Sequence, residues 1–233
     1  FTIFLLGIGR LELLPEMFDR DGLGEFASDS HRYMREISEL VDVLEQVGIR
    51  EFVKSPFDLH VKLYALSASL LSPVFGFTIL GVELLNLFYY SATVAFGYAL
   101  GREVFGQKTV ALLAALTIGL WPSFLLYSTQ LYKTPLIVLL ILVLVWLNTR
   151  LIARQYQFKD TLNHWVLLTI AIVFLQILRS EWWLFVILMI VFGGGLSFLQ
   201  MMLDKKIKLW NAVVVGASIL SWFVVPQYIQ PES

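Results

Sequence analysis

The sequence predicts an all-α fold, a polytopic transmembrane helix bundle whose long first extracytoplasmic loop carries amphipathic juxtamembrane helices. Three observations predict it. Of 233 residues, 58% are hydrophobic and 15% charged, with a mean hydropathy of +0.75; a soluble domain has roughly 25% charged and 45–50% apolar residues. The apolar residues gather into six long runs, near 77–100, 109–127, 135–152, 165–178, 182–203 and 209–225, and about 20 apolar residues of helix cross a hydrocarbon core of about 30 Å. The charges are also segregated: residues 1–62 hold 12 acidic and 7 basic groups, 19 of 35, and the other 171 residues share 16.

The chain opens at Phe1 inside an apolar run, 1–9, that is too short to span and lacks the basic flank of a signal peptide. It reads as the outer end of a first transmembrane helix. Residues 10–76 then form the long extracytoplasmic loop, and 77–226 the six spans of a single membrane domain covering 1–233. The length reads as the N-terminal half of a larger protein.

Lys and Arg mark the cytoplasmic side of short loops. Arg102 and Lys108 share one loop, Arg150, Arg154 and Lys159 another, and Lys205, Lys206 and Lys208 a third, whereas the alternating loops carry only Lys133 and Arg179. The three basic loops are therefore cytoplasmic. This parity requires the apolar segment 61–75, which contains Lys62 and Pro73, to lie at the interface or re-enter.

Inside the long loop, Tyr33, Ile37, Leu40, Val41, Leu44 and Val47 recur at helical spacing with Arg35, Glu36, Glu39, Asp42 and Glu45 between them. That pattern is an amphipathic helix starting at Ser28-Asp29-Ser30 and stopping near Gly48, lying along the membrane or against the bundle. Pro56 breaks the chain before segment 61–75.

Several function classes are excluded. A net charge of −1 gives no polyanion-binding signal, so nucleic acid is not expected as a partner. Without cysteine there is no disulfide framework, thiolate metal site or thiol nucleophile. No phosphate-binding Gly-rich loop, HExxH, GxSxG or CxxC motif occurs. Gly193-Gly194-Gly195 falls inside an apolar run, where it permits close helix packing.

The remaining polar residues fall on one side of the membrane. Asp29, His31, Arg32 and Tyr33 open the amphipathic helix, Asp58 and His60 precede the second juxtamembrane segment, and Lys133-Thr134 and Arg179 with Glu181 occupy the next outer loops. Each has two readings. Asp29 is a helix cap, a catalytic base, or both. Asp58-x-His60 offers an oxygen and a nitrogen to a divalent metal ion such as Zn²⁺, or is a solvated loop. Lys133, Arg179 and Glu181 either form part of a site or anchor helix ends at the headgroups, and His164 reads as an interface residue. Glu83, two turns into an apolar helix with Asn86 three residues on, is either a hydrogen-bonded strut or a wall of a substrate cavity.

Taken in order, these segments bring in a family resemblance covering roughly residues 20–190. Asp29-Ser30-His31-Arg32-Tyr33 resembles the Asp-x-x-x-Tyr motif of GT-C membrane glycosyltransferases, in the branch of the protein O-mannosyltransferases and lipid A aminoarabinose transferases. His60-Val61-Lys62-Leu63-Tyr64 is similar to that branch's His-Pro-Pro-Leu-Tyr segment, with both prolines replaced. Gly101-Arg102-Glu103-Val104-Phe105-Gly106 resembles its Ala-Arg-Arg-Leu-Phe-Gly turn, and the stretch from Ala111 through Trp121-Pro122-Ser123 to Tyr127-Ser128-Thr129 its next helix and outer loop.

The resemblance implies transfer of a sugar, with inversion, from a polyprenyl-phosphate-linked donor to an extracytoplasmic acceptor, in a bacterial or archaeal plasma membrane. It assigns Asp29 the catalytic acidic role, Asp58 a metal or substrate contact, and Lys133 and Arg179 the lipid phosphate. His31, Arg32, Tyr33, His60 and Glu83 complete the expected substrate-binding set. The chain departs from the family at Thr134-Pro135, where Asp-Pro is usual, and at Glu83, where a positive residue is frequent. Two other classes remain open: a transporter or flippase-like bundle with Glu83 and Asn86 along its path, and a GT-C-like scaffold without chemistry, which Thr134 favours.

Overall fold

The computed structural model describes residues 28–75, 79–153, 158–179, 183–203 and 216. Among them the chain is helical with short turns and no strand. Several expected features lie outside the described residues: the crossing at 1–9, loop residues 10–27, the span 209–225, the basic residues Arg154, Lys205, Lys206 and Lys208, Glu181, and the side chains of Glu83 and Lys159.

The amphipathic helix is α1, Ser28–Gln46, with Asp29 in its first turn, where a carboxylate complements the free amides. Tyr33, Ile37, Leu40 and Val41 are buried, and Arg35, Glu39, Asp42 and Glu45 are exposed. Val47, expected on the apolar face, is instead 63% exposed. The helix has ended before it: the amides of Val47 and Gly48 both return to the Val43 carbonyl, and Gly48 turns the chain at φ 101°, which glycine adopts without steric cost.

A short helix, α2, Ile49–Lys54, follows; the sequence pattern gave no sign of it. Phe52 pins it into the core, and Ser55 closes it by donating its hydroxyl to the Phe52 carbonyl at 2.7 Å, ahead of Pro56. The apolar segment expected at 61–75 is α3, Leu59–Phe75, with Pro73 in its last turn, where the helix is about to end and one ladder bond is lost. It lays Val61, Tyr64, Ala65 and Ala68 against the buried stripe of α1 and exposes Leu66, Leu70 and Val74 on the opposite side. A helix carrying charge on one face and packing its other face on a neighbour derives its stability from that contact more than from intrinsic propensity.

Next come α4, Ile79–Phe105, and α5, Lys108–Gly119. Gly106 ends α4 at φ 68°, its amide returning to the Arg102 carbonyl at 3.0 Å, a left-handed C-terminal cap. Small residues then let α4 and α5 approach closely: a Cβ at Gly101 would stand 2.8 Å from the Ala111 Cα, and one at Gly119 3.2 Å from Val94 Cγ2.

The run expected to cross at 109–127 is not one helix. It stops at Gly119 and restarts as α6, Pro122–Tyr127. Proline has no amide to continue the helix and forces the residue before it out of helical geometry; Trp121 is extended, at φ −63° and ψ 115°. The remaining helices are α7, Thr134–Ala153, with Pro135 inside its first turn, α8, Phe158–Leu178, and α9, Trp183–Leu203. Gly193 in α9 lies against Asn148 of α7, the close packing expected of the glycine run.

Among the described residues, one stretch, Thr134–Leu151 in α7, is long and apolar enough to cross a membrane, with hydropathy 2.0 over 18 residues. Leu59–Leu71, Lys108–Gly119, Leu162–Leu178 and Leu184–Leu196 are shorter apolar helices. By contacts the chain divides into two compact units: one includes the described residues up to Val94 together with Thr117–Leu136, the other Ala95–Leu116 and the chain from Ile137 onward.

Candidate functional site

The first unit brings together most of the residues expected to form a site. At the start of α3, His60 is 2% exposed, and Tyr33, one turn into α1, stands edge-on to it, ring centroids 4.6 Å apart and planes at 87°. Edge-to-face geometry is the favoured arrangement of aromatic pairs. His60 Nδ1 faces Asp58 Oδ2 at 3.8 Å, longer than a hydrogen bond, while Asp58 itself is 64% exposed. Among the described residues no hydrogen-bond partner reaches His60 Nε2. The carboxylate on the Nδ1 side favours the tautomer with its proton there, leaving Nε2 as a buried acceptor.

Burial pushes the His60 pKa down to about 4; Asp58 pulls it up, Lys133 and Arg32 push it further down, and Asp29 opposes them. The imidazole is therefore neutral at physiological pH and contributes hydrogen bonding, not positive charge. Four charges are thus felt at one ring, from α1 (Asp29, Arg32), the α2–α3 turn (Asp58) and the loop before α7 (Lys133). Asp29 is exposed. Arg32, 58% exposed, lies over the Tyr33 ring at 4.9 Å and pairs with Glu36 at 3.5 Å, a surface pair of small energy. His31 is exposed on the same first turn.

Tyr132, a residue the sequence reading passed over, joins the group: its pKa is raised by burial first and then by Asp29, Tyr127 and Tyr33. Its signal was its place, between a buried polar stretch and Lys133. Two other omissions, Tyr64 and Gln130, explain why that loop sits here. Ser128, Thr129, Gln130 and Leu131 are buried although the backbone is not regular helix, so its carbonyls need partners. The Tyr132 amide donates to the Gln130 carbonyl at 2.8 Å, closing a three-residue turn around Leu131. The Asn86 amide from α4 donates to the same carbonyl. The Tyr64 hydroxyl from α3 shares its single proton between Asn86 Oδ1 and the Tyr132 carbonyl, the latter at 2.9 Å. Each carbonyl left unsatisfied in such a place would cost about 1–3 kcal/mol. Tyr64 is one turn beyond His60, so a single face of α3 carries both a site residue and the anchor of the opposing loop.

Asn86, expected on one face with Glu83, is thus fully buried and acts as a hydrogen-bonded strut. Glu83 lies one turn earlier in α4. Arg179 is exposed at the end of α8, in the second unit. His164, read as an interface residue, is buried, 4% exposed.

The donor pair Asp58 and His60 supplies an oxygen and a nitrogen on one side of the ring, but the described residues contain no group of three His, Cys, Asp or Glu placed to hold a metal ion. Two donors fall short of the three or four protein ligands of a zinc site, and no step below runs through a metal. What the cluster offers is two exposed carboxylates, two cations, a neutral buried imidazole and tyrosine hydroxyls, within an apolar helical unit. No protein-family model, no curated protein and no solved structure matches this chain.

Proposed function

We propose that this chain is part of a polytopic membrane glycosyltransferase that moves a sugar from a polyprenyl-phosphate donor to an acceptor outside the cytoplasm. The observation that carries the reading is the run of contacts from Arg32 over Tyr33 to His60 and Asp58, with the charges of Asp29 and Lys133 also felt at His60: a carboxylate and two cations in one neighbourhood are what a phosphate-leaving displacement requires. A polyprenol tail partitions into the bilayer, so the donor phosphate sits at the interface. An acceptor hydroxyl attacks the anomeric carbon, its proton passes to Asp29, and the bond from that carbon to the phosphate oxygen breaks with its electron pair on phosphate. Lys133 and Arg32 offset the charge that builds there. Attack opposite the leaving group inverts the anomeric centre. Neutral His60 supports these groups from below as a buried, uncharged ring.

In this reading α4, the broken run α5–α6, α7, α8 and α9 each make one crossing of the bilayer, and α1 to α3 belong to the extracytoplasmic face. Membranes containing the full-length protein and a radiolabelled polyprenyl-phosphate sugar test it. Asp29→Asn is expected to reduce transfer by at least about 10²-fold, with the protein still folded. Undiminished transfer removes Asp29 from the chemistry, and solute movement in liposomes without glycosyl transfer from any donor would favour a transporter instead.

A further inference from the structure

The Tyr64–Asn86 network has a geometry that packing alone does not require. Its two acceptors are the carbonyls of Gln130 and Tyr132, the two ends of the tight turn around Leu131. Fixing both ends of a three-residue turn fixes the direction in which the chain leaves it, and the next residue is Lys133. The anchors come from two different helices, Tyr64 from α3 and Asn86 from α4, and are joined to each other through Asn86 Oδ1. The turn is therefore held against both helices at once.

We propose that Asn86 and Tyr64 are positioning residues that act through Lys133: by clamping the Gln130–Tyr132 turn they fix the backbone from which the Lys133 side chain extends. The role rests on the glycosyltransferase reading for what Lys133 does, while the clamp itself stands on the hydrogen bonds. Buried polar networks that are fully satisfied rigidify what they join, and a cation on a flexible four-carbon stem is directed only as well as its backbone is held. The arrangement also accounts for Leu131, fully buried at the centre of the turn, which the two anchors press into the core.

The test uses the full-length protein in lipid nanodiscs, with any cysteine outside residues 1–233 replaced by serine, and exploits the absence of cysteine within them. A nitroxide is attached at Lys133→Cys, and in a second sample at Glu36→Cys on α1 as a control. Each is recorded in the parent, in Asn86→Leu and in Tyr64→Phe, the last of which keeps the ring and so the core volume. The clamp requires the spectrum of the Lys133 label to shift to a more mobile component in both variants while the Glu36 label is unchanged. An unchanged Lys133 label overturns the proposal. Equal loosening at both positions also overturns it, because the two residues then hold the whole unit and not the turn.

Transfer assays supply the second arm. Tyr64→Phe is expected to slow transfer by about tenfold, a single lost hydrogen bond, and to add nothing on top of Lys133→Met. Full additivity of the two substitutions would refute action through Lys133. Absence of transfer in every sample, with the label response intact, leaves the clamp standing and removes the glycosyltransferase reading.

Discussion

The ring of Tyr33 meets the imidazole of His60 edge-on at 4.6 Å, and this contact joins α1 to α3 where the charged residues of α1 and the α2–α3 turn lie. Both rings are almost wholly buried, yet the groups that surround them, Asp29, Arg32 and Asp58, are exposed. A rigid aromatic floor with charged groups at its rim is a platform on which mobile side chains keep a common origin.

Acid should weaken this unit. The His60 pKa of about 4 in the fold, set mainly by burial, lies below the ordinary value of about 6.5 in an unfolded chain. The fold therefore favours the neutral ring. Its contribution is complete above about pH 6.5 and is lost progressively from there down to about pH 4, as the unfolded chain takes up a proton that the folded one refuses, to a total of at most about 3 kcal/mol. Thermal melts of the parent and His60→Leu across pH 7 to 4 check this: the gap between the two curves should shift in favour of the variant as pH falls. A constant gap would show that His60 is not held neutral.

Two glycines two residues apart in α9 should respond oppositely to alanine. A Cβ at Gly193 would lie 2.1 Å from Asn148 Oδ1 and 2.9 Å from its Cγ, and Asn148 is tied by its amide to the Leu144 carbonyl at 2.9 Å. Gly193→Ala is expected to destabilise by about 1–3 kcal/mol. At Gly195 nothing lies within 4 Å of the added atom, so Gly195→Ala should be neutral or stabilising by up to about 1 kcal/mol through helix propensity. Melting temperatures in one detergent decide it, and equal losses at both positions would refute the α7–α9 contact.

The membrane arrangement makes its own forecast. In the proposed topology α1 is outside and the basic residues 205–208 are inside, so single cysteines at Ser28 and Lys206 in this cysteine-free chain should react with an impermeant maleimide from opposite sides of sealed vesicles. Labelling from the same side would break the alternation of basic loops on which the topology rests.

Much of the fold was legible because its helices are marked by period and punctuation. The apolar stripe of Tyr33, Ile37, Leu40 and Val41 located α1 and its buried face together, since 3.6 residues per turn place these positions on one side. Gly48 and Pro56 bounded the following segments for steric reasons that act locally. The break at Trp121-Pro122 was equally readable from the proline but was masked by the unbroken hydrophobicity of 109–127. The helix α2 was missed because six residues carry less than two turns of periodicity, and what stabilises it is Phe52 reaching into a core that no local window contains.

The site divides the same way. Residue types and their expected side of the membrane singled out Asp29, Arg32, Tyr33, Asp58, His60 and Lys133 from the sequence, because a charged or titratable group in so apolar a chain is conspicuous. Asn86 was conspicuous as a polar residue beside Glu83 in an apolar helix, and Tyr64 stood in the His60–Tyr64 segment, but their partners could not be read: a tyrosine and an asparagine acquire their roles only from which backbone carbonyls lie opposite, 68 residues away for Tyr64 and Tyr132 and 44 for Asn86 and Gln130. The sequence by itself determined the longer helices, the apolar face of α1 and the inventory of charge, all of which follow from short-range periodicity and composition. The tertiary structure alone decided that His60 is buried and neutral and that the turn before α7 is hydrogen-bonded to Tyr64 and Asn86, because burial and hydrogen-bond partnership depend on chain segments that meet only after folding.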